Sequence, residues 1–430
     1  MELKNKKVLV YGSGKSGQGA AALLEKCGAE PFIYDDSMGD LPDLSTLDAA
    51  VLSPGVPTDK PQVLALKAAG IPVIGEVELA YITGRGRVLA ITGTNGKTTT
   101  TSLVGAIMRA AQDSVFVVGN IGTPYTSVAL DTREESAVVA EISSFQLETA
   151  ETFHPVVSAI LNITEDHLNR HHTMEEYIRV KETISKNQTK ADTCVLNYED
   201  EVLRAFGEVC PASVVYFSSA RPLETGYYLE NDRIRLARNG EVKDIVAVDD
   251  LQLIGIHNVE NVMAGIAMTE AAGVPMDVIV EAVKAFTAVE HRIEYVGKKN
   301  GVVWYNDSKG TNPDAAIKGI EAMKWPTLLI GGGYDKGSDY GPWIRAFNGK
   351  VKYFVLEGAT RFDIEKAALE NGFPADRIIM KENMTEAMDF CAAHAEAGDA
   401  ILLSPACASW GEFPNYEVRG QVFKDYFRAL

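Results

Sequence analysis

The residues best able to do chemistry lie in one short stretch, Ala90 to Val104, which reads AITGTNGKTTTTSLV. Gly93 and Gly96 leave backbone amides able to point inward at the start of a helix, the arrangement that cradles an anion. Lys97 follows, placed to reach outer phosphates, and Thr98 offers a hydroxyl to a Mg²⁺ ion. The usual phosphate loop has four residues between its first glycine and the Gly-Lys pair. Here only Thr94 and Asn95 separate Gly93 from Gly96. A tight turn with an incidental lysine is the plain alternative. The context favours a nucleotide loop, because RVLAIT before it reads as a buried strand and TTTTSLVGAIMRAA after it as a helix.

If ATP and Mg²⁺ bind here, acidic or imidazole ligands belong at the ends of neighbouring strands. AVVAEISSFQLE places Glu141 at the end of one apolar run, and AILNITEDHLNR places Asp166 and His167 just past another. A histidine in such a protein is more often a surface or core residue than a ligand. His167 stands out because it follows a strand end beside an acid. The first segment holds GSGKSG, Gly12 to Gly17, which satisfies G-x-G-x-x-G between a strand and a helix. Asp35 ends the next strand, where a ribose-binding acid belongs. Alone this suggests a dinucleotide oxidoreductase, yet the pattern requires only phosphate on a helix N-terminus. Ser53-Pro54-Gly55 closes a third strand and could line the same crevice. Further on, WYNDSKGTNPDA crowds Asn306, Asp307, Lys309 and Thr311 into one strand-to-helix turn. GGGYDKGSDY and LLSPACASWGEFPNYEVRG end two more strands and put Lys336, Ser409 and Tyr416 on the same edge. Each is a solvated loop by itself; their coincidence on one carboxyl edge favours a site. EHRIEYV sets His291 and Arg292 at the entrance to this third segment, where an arginine could reach across an interdomain cleft.

Three series of α/β elements must position these groups. KVLVYG, PFIYD and DAAVLSPG read as strands, with GQGAAALLEKCG a helix ending at Gly28. YITGRGR, Tyr81 to Arg87, is a glycine-rich break, so the first domain is residues 1–86. RVLAIT, SAVVAEI and VVSAILNI are buried parallel strands of a central domain, residues 87–288. The alternation on either side of Asn239-Gly240 predicts antiparallel hairpins on its rim, and HNVENVMAGIAMTEAAG predicts a helix capped at Gly273. GVVWYND, TLLIGGG, KYFVLEG and AILLSPA are the strands of a third domain, residues 289–430. A chain of 430 residues accommodates three such domains. With 41 basic against 59 acidic residues the net charge is -18, which disfavours nucleic acid and requires a local cationic pocket for any polyanion. No apolar run reaches the roughly 20 residues that span a bilayer, and MELKNKKVLVYG lacks the apolar core of a signal peptide. The five cysteines (Cys27, Cys194, Cys210, Cys391 and Cys407) are widely spaced and read as reduced thiols, mostly in the core.

Taken together, TGTNGKTT, GNIGTP, EISSFQLE, NITEDHLNRH, HNVENVMAG, EHRIE, NDSKGTN and SPACASW resemble the Mur ligase family over essentially the whole chain. The short-spaced loop is that family's own form of the ATP loop, and NDSKGTN and SPACASW are the pieces that separate its members. The resemblance implies three consecutive α/β domains: a Rossmann-like UDP-binding domain, a P-loop ATPase-like domain and a Rossmann-like C-terminal domain. It implies a cytoplasmic, ATP-dependent amide ligase of peptidoglycan precursor synthesis. Its substrates would be UDP-N-acetylmuramoyl-L-alanine and D-glutamate, joined through an acyl phosphate. It would act as a monomer, without nucleic acid or membrane insertion.

On the family pattern, ATP falls to Gly93, Thr94, Asn95, Gly96, Lys97, Thr98 and Thr99, with Asn258, Asn261, Arg292 and Asp307. Thr98 and Glu141 serve one Mg²⁺ and His167 the other, helped by Lys181 as a carbamate. In its own context, MEEYIRVKETISKN, Lys181 reads as an ordinary helix-surface lysine. Lys97, His167, Lys181 and Arg292 form the implied catalytic set. Ser13, Lys15, Ser16, Asp35, Ser37 and Asn120 would hold the UDP-sugar, and Lys309, Thr311, Lys336, Ser409 and Tyr416 the D-glutamate. A folylpolyglutamate synthetase or a sister ligase is the nearest rival, opposed by the third-domain motifs. A nicotinamide-binding protein built on GSGKSG would leave the second loop, Glu141 and His167 unexplained.

Overall fold

Runs such as VLVY, AVVAE and AILL are apolar on both faces, which suits strands covered by helices on either side. The computed structural model describes residues 2–39, 41–287, 289–334 and 337–430. Among these residues the strands form three sheets. The first contains β1 (Lys7–Tyr11), β2 (Glu30–Tyr34), β3 (Ala49–Leu52) and β4 (Val73–Gly75), all parallel, in the order β2-β1-β3-β4. The second contains β5 (Arg87–Thr92), β6 (Val115–Gly119), β7 (Ala137–Glu141), β8 (Val157–Ile160), β9 (Thr193–Asn197), β10 (Ser213–Ser218), β11 (Gly226–Glu230), β12 (Arg233–Arg238) and β13 (Glu241–Ala247). Its order is β13-β12-β11-β10-β9-β8-β5-β7-β6. The third, β14-β15-β19-β16-β17-β18, is built from β14 (Glu294–Lys299), β15 (Val302–Asn306), β16 (Thr327–Gly333), β17 (Val351–Gly358), β18 (Ile378–Met380) and β19 (Ala400–Leu403).

The rim of the second sheet is antiparallel from β11 to β13, and Asn239 and Gly240 turn the last hairpin with positive φ at both positions. The predicted cap at Gly273 is also present, at φ 93° after the helix Ile256–Ala271. Tyr81–Arg87 differs from the expected break. Tyr81 to Thr83 finish the helix Glu76–Thr83, and Arg87 already opens β5.

In each sheet strand order reverses beside the loops singled out above. β1 lies between β2 and β3, β5 between β8 and β7, and β19 between β15 and β16. Open α/β sheets bind ligands at the carboxyl ends of strands where the order reverses. Gly12–Gly17 follows β1, Gly93–Thr98 follows β5, and Asp307–Thr311 follows β15.

Contacts divide the chain into two compact units, residues 1–250 with 259–284, and residues 251–258 with 285–430. Within the first unit, sheets one and two share a continuous apolar cluster that includes Val8, Leu23, Val77 and Leu79 together with Val88, Tyr125, Val138 and Phe153. Two acids at the start of the helix Glu76–Thr83 reinforce the joint, where the positive end of the helix dipole favours them. Both are buried. Glu76 accepts from Gln146 Nε2 at 2.8 Å. Glu78 accepts from the backbone amides of Glu151, Thr152 and Phe153 and from the Thr152 hydroxyl.

Glu78→Ala should therefore leave three backbone amides without their acceptor. A buried donor left unsatisfied costs about 1–3 kcal/mol. The variant should lose on the order of 3 kcal/mol or more in urea unfolding, while Glu78→Gln, which keeps one acceptor oxygen, loses less. A loss in Glu78→Ala no greater than that in Glu78→Gln would contradict this assignment.

Candidate active site

The loop after β5 is shaped by backbone crowding. Gly93 has φ 144° and Gly96 φ 85°, and a Cβ on Gly96 would stand 2.3 Å from the Asn261 side-chain oxygen. Thr100 Oγ1 donates to that same oxygen at 3.3 Å, so Asn261 braces both the loop and the helix Lys97–Ala111. On the other side Asn162 grips Asn95 twice: its amide oxygen accepts from Asn95 N at 2.8 Å and its NH₂ donates to Asn95 O at 3.1 Å. The Thr94 hydroxyl meets Tyr177 OH at 3.0 Å.

Lys97 Nζ donates to the carbonyls of Gly93 and Thr94 at 2.8 and 2.7 Å. Lys181 Nζ donates to the same Gly93 carbonyl at 2.8 Å. Lys181 is thus no surface lysine. It is 1% exposed, lies on the face of the helix Met174–Glu182 that also buries Tyr177 and Val180, and has its ammonium 4.7 Å from the Tyr177 ring centre. Burial, aided by the nearby charge of Lys97, pushes its amine down to about 7. Thr98 and Thr99 open the helix behind Lys97.

Glu141, the last residue of β7, is 1% exposed. One carboxylate oxygen accepts from Asn120 Nδ2 at 2.8 Å; the other is buried without a hydrogen-bond partner among the described residues. A buried carboxylate oxygen with no donor suits a cation. His167 is exposed, with φ 54° and its ring 4.8 Å from that of Phe145. Among the described residues no three His, Cys, Asp or Glu side chains gather at metal-binding spacing. Mg²⁺ usually takes one or two carboxylates and completes its shell with water and phosphate oxygens.

At the first sheet, Ser13 Oγ donates to Asp35 at 2.8 Å, and Ser37 donates to it through both its amide and its hydroxyl. The Ser13 bond, then those of Ser37, hold the Asp35 carboxyl below the usual range. Lys15 and Ser16 begin the helix Lys15–Lys26. A Cβ on Gly17 would fall 1.8 Å from Gly12 O, so only glycine lets this helix approach the strand. A Cβ on Gly14 would meet nothing within 4 Å, which leaves the loop open where a phosphate would lie.

The second unit gathers its own polar cluster. Asp307 is buried, accepts from Ser404 Oγ at 2.7 Å and from Ile293 N at 3.2 Å, and is pushed up to about 7 by burial against the smaller opposing pull of Ser404 and Arg292. Arg292 Nε is buried without a hydrogen-bond partner among the described residues. Lys309 Nζ lies 5.1 Å from the Tyr416 ring centre, and Ser308 Oγ donates to Tyr416 O at 2.8 Å. Ser409 is buried nearby in the chain after β19, and Thr311 follows Lys309 in the loop. Lys336 lies outside the described residues. Asn258 Nδ2 donates to Ile254 O at 2.8 Å.

Sequence reasoning missed the residue that binds these loops together. Arg419 is 1% exposed; its Nε donates to Ser308 Oγ, and its Nη2 to the carbonyls of Ser308 and Cys407. Its signal was faint, an arginine three residues after Tyr416 on the same helix face. Asn162, Tyr177 and the Arg170–Glu148 pair were missed as well.

Family models match on both sides of residue 270. The Mur ligase middle domain matches residues 91–269, and the Mur ligase glutamate ligase domain matches residues 291–407. The UDP-N-acetylmuramoylalanine–D-glutamate ligase of Lachnospira eligens is 55% identical, with all of both chains covered. The enzyme of that name from Lachnoclostridium phytofermentans is also 55% identical, over all of this chain and 99% of its own. Among solved structures, the UDP-N-acetylmuramate-alanine ligase of Thermotoga maritima superposes with a TM-score of 0.63 over 99% of each chain, at 19% identity. A pseudomurein peptide ligase type C from Methanothermus fervidus gives 0.60 over 99% of this chain and all of its own, at 20% identity. At those identities the structural likeness shows the fold alone.

The Asp307 carboxyl makes a prediction that needs no substrate. Its folded pKa is about 7 against an ordinary 3.8, so between those values the folded state holds a proton that the unfolded chain has released. Stability contributed by this group is therefore full below about pH 4 and falls as pH rises towards 7. Asp307→Asn should remove that slope: relative to wild type, the variant should gain urea-unfolding stability on going from pH 5 to pH 8. Parallel pH profiles for the two proteins would rule the shift out.

Proposed function

The chain belongs to the Mur ligase family, and from that premise we propose that it joins D-glutamate to UDP-N-acetylmuramoyl-L-alanine with cleavage of ATP. The L-alanine carboxylate attacks the γ-phosphate, giving an acyl phosphate and ADP. The D-glutamate amine then displaces inorganic phosphate and forms the amide. The observation that carries this reading is the convergence of Lys97 and Lys181 on the Gly93 carbonyl, at the carboxyl end of the central strand.

A carboxylate approaching ATP brings several negative charges together, and the barrier falls when fixed cations offset them. Lys97 already stands at the helix N-terminus, where its ammonium can exchange two carbonyls for phosphate oxygens. Gly93 to Thr99 would form the cradle, Asn261 stiffens it from behind, and Asn258, Arg292 and Asp307 are the further residues assigned to the nucleotide. Thr98, Glu141, His167 and, as its carbamate, Lys181 would hold Mg²⁺, which when bound neutralises phosphate charge and polarises the transferring group. The orphaned Glu141 oxygen supports that donor set. Lys181 suits carbamylation because the reaction with CO₂ needs an uncharged amine. With a pKa of about 7, a substantial part of the amine is neutral at physiological pH.

Ser13, Lys15, Ser16, Asp35, Ser37 and Asn120 would hold the uridine nucleotide and its sugar. D-Glutamate has two carboxylates, and the cations and hydroxyls of Lys309, Thr311, Ser409 and Tyr416, with Lys336, would receive them. Buried polar groups left unpaired are costly, so an amino acid lacking the side-chain carboxylate should be rejected by several orders of magnitude.

Three measurements test the reading. Phosphate release with ATP, UDP-N-acetylmuramoyl-L-alanine and a panel of amino acids should be fast only with D-glutamate; equal turnover with D-alanine or L-glutamate would refute the assignment. Lys97→Ala should cost at least ~10²-fold in kcat, as removal of one charge-stabilising group does, with UDP-sugar affinity changed only a few-fold. Near-normal turnover would remove Lys97 from the ATP site. Wild-type protein in ¹³C-bicarbonate should show a carbamate resonance that Lys181→Met lacks; its absence from wild type, or full activity in the variant, would exclude the carbamate.

A further inference from the structure

Downstream of His167 lies a cluster of charges and rings that the reaction described above does not use. The chain leaves β8, reaches His167 at φ 54°, and makes one short turn, Leu168–His171. The His167 carbonyl accepts from the amides of Arg170 and His171 at 2.9 and 3.0 Å, which fixes their side chains relative to the His167 backbone. Arg170 and Glu148 form a fork, Nε to Oε1 at 3.1 Å and Nη2 to Oε2 at 2.7 Å, with both side chains only 10% exposed. The same Nη2 donates to the carbonyl of Val56 at 3.0 Å, in the loop that follows Ser53-Pro54-Gly55. Thr58 Oγ1 of that loop also donates to Glu148, at 3.3 Å. The guanidinium carbon lies 4.9 Å from the centre of the Phe145 ring, and that ring lies 4.8 Å from the ring of His167.

We propose that Arg170 is a positioning residue for metal binding: through Phe145 and the turn it shares with His167, it sets the His167 ring, and through Val56 it ties that setting to the loop of the first-sheet crevice. This rests on the reading of His167 as a Mg²⁺ ligand. An exposed histidine has several rotamers of similar energy, and a ligand must be held close to one of them. Few contacts hold His167 itself. Its ring meets Phe145 and approaches Asp166 at 3.5 Å, and its amide donates to the Asp166 carboxylate at 2.9 Å. Phe145 is therefore the wall against which the ring rests, and Arg170 is the group that steadies the wall. Arginine suits the position because its planar fork can engage a carboxylate twice, reach a carbonyl and lie on an aromatic face together. A lysine keeps the charge and loses the fork.

The experiment uses the full chain with ADP and Mn²⁺, following free Mn²⁺ by electron paramagnetic resonance, so that no turnover is required. His167→Ala, Arg170→Lys, Phe145→Leu and the double variant His167→Ala/Arg170→Lys are compared. Arg170→Lys should weaken Mn²⁺ binding at least fivefold and raise the Mg²⁺ needed for half-maximal rate, with KM for D-glutamate within threefold of wild type. Phe145→Leu, which leaves the ion pair in place, should reproduce part of the loss. In the His167→Ala background, Arg170→Lys should change Mn²⁺ affinity by less than twofold, because its effect runs through the ring already removed. Fully multiplicative losses in the double variant would overturn the proposal, as would unchanged Mn²⁺ affinity in Arg170→Lys. If His167→Ala itself leaves Mn²⁺ binding intact, the metal reading fails and this inference falls with it. A silent Arg170→Lys beside a damaging His167→Ala defeats the inference alone. Should Arg170→Lys fail to fold, Phe145→Leu with its own His167→Ala double variant decides by the same rule.

Discussion

One carbonyl oxygen, that of Gly93, receives two lysine ammonium groups. Like charges this close repel, and burial makes each harder to keep ionised. The structure tolerates the pair because the carbonyl, a neighbouring carbonyl at Thr94 and the Tyr177 ring share the load. The tolerance is incomplete, which is why the Lys181 amine falls to about 7. Two outcomes relieve the conflict. Phosphate oxygens can take Lys97 away from the carbonyls, or Lys181 can cease to be a cation by carrying a carbamate. On the function proposed above, the first is ATP entering the loop and the second is the carbamate on Lys181, so electrostatic strain in the loop and readiness for ATP would be one property.

The bracing around this loop follows from the same requirement. A cradle that must present amides and an ammonium in fixed positions cannot also move freely, and preorganised groups are the ones that stabilise developing charge. Asn261 fills the space beside Gly96 that a side chain would otherwise claim, and Asn162 closes two hydrogen bonds on Asn95. Arg419 plays the corresponding part in the second unit. It is buried and pushed down to about 10 by that burial, yet it spends its donors on Ser308 and Cys407, backbone positions on either side of the D-glutamate candidates. An arginine so placed trades desolvation for the geometry of two loops. Breaking one partner of such a network is costly because the remaining group stays buried.

Much of this was legible in the sequence where a motif fixes backbone geometry. GSGKSG predicted a strand-to-helix turn, and it lies between β1 and the helix Lys15–Lys26. Asn239-Gly240 predicted its hairpin because both residues accept positive φ. Glycine and turn residues carry their meaning locally. Arg419, Glu78 and Lys181 do not, because a charged residue on a helix reads as solvated until its tertiary surroundings are known. For Lys181 a hint existed: it stands four residues after Tyr177 and one after Val180, on the apolar face of its helix. A lysine on such a stripe ordinarily extends its stem along the core and lifts its charge to water. Here the whole side chain is buried, and the ammonium ends on the Gly93 carbonyl.

The overall charge of -18 gives that arrangement a further meaning. A surface this acidic repels polyanions in general, and salt screens the effect over roughly 10 Å. The cations that matter are taken out of that surface. Lys181 and Arg419 are almost fully buried, and Arg292 has its Nε shielded from solvent. Buried charges are little screened and act strongly at short range. An acidic exterior disfavours large polyanions that must rest on the surface. On the proposed reading, a nucleotide entering the loop after β5 would meet Lys97 and Lys181 there. Discrimination by size and by charge would then follow from where the lysines and arginines are placed, not from how many the chain contains.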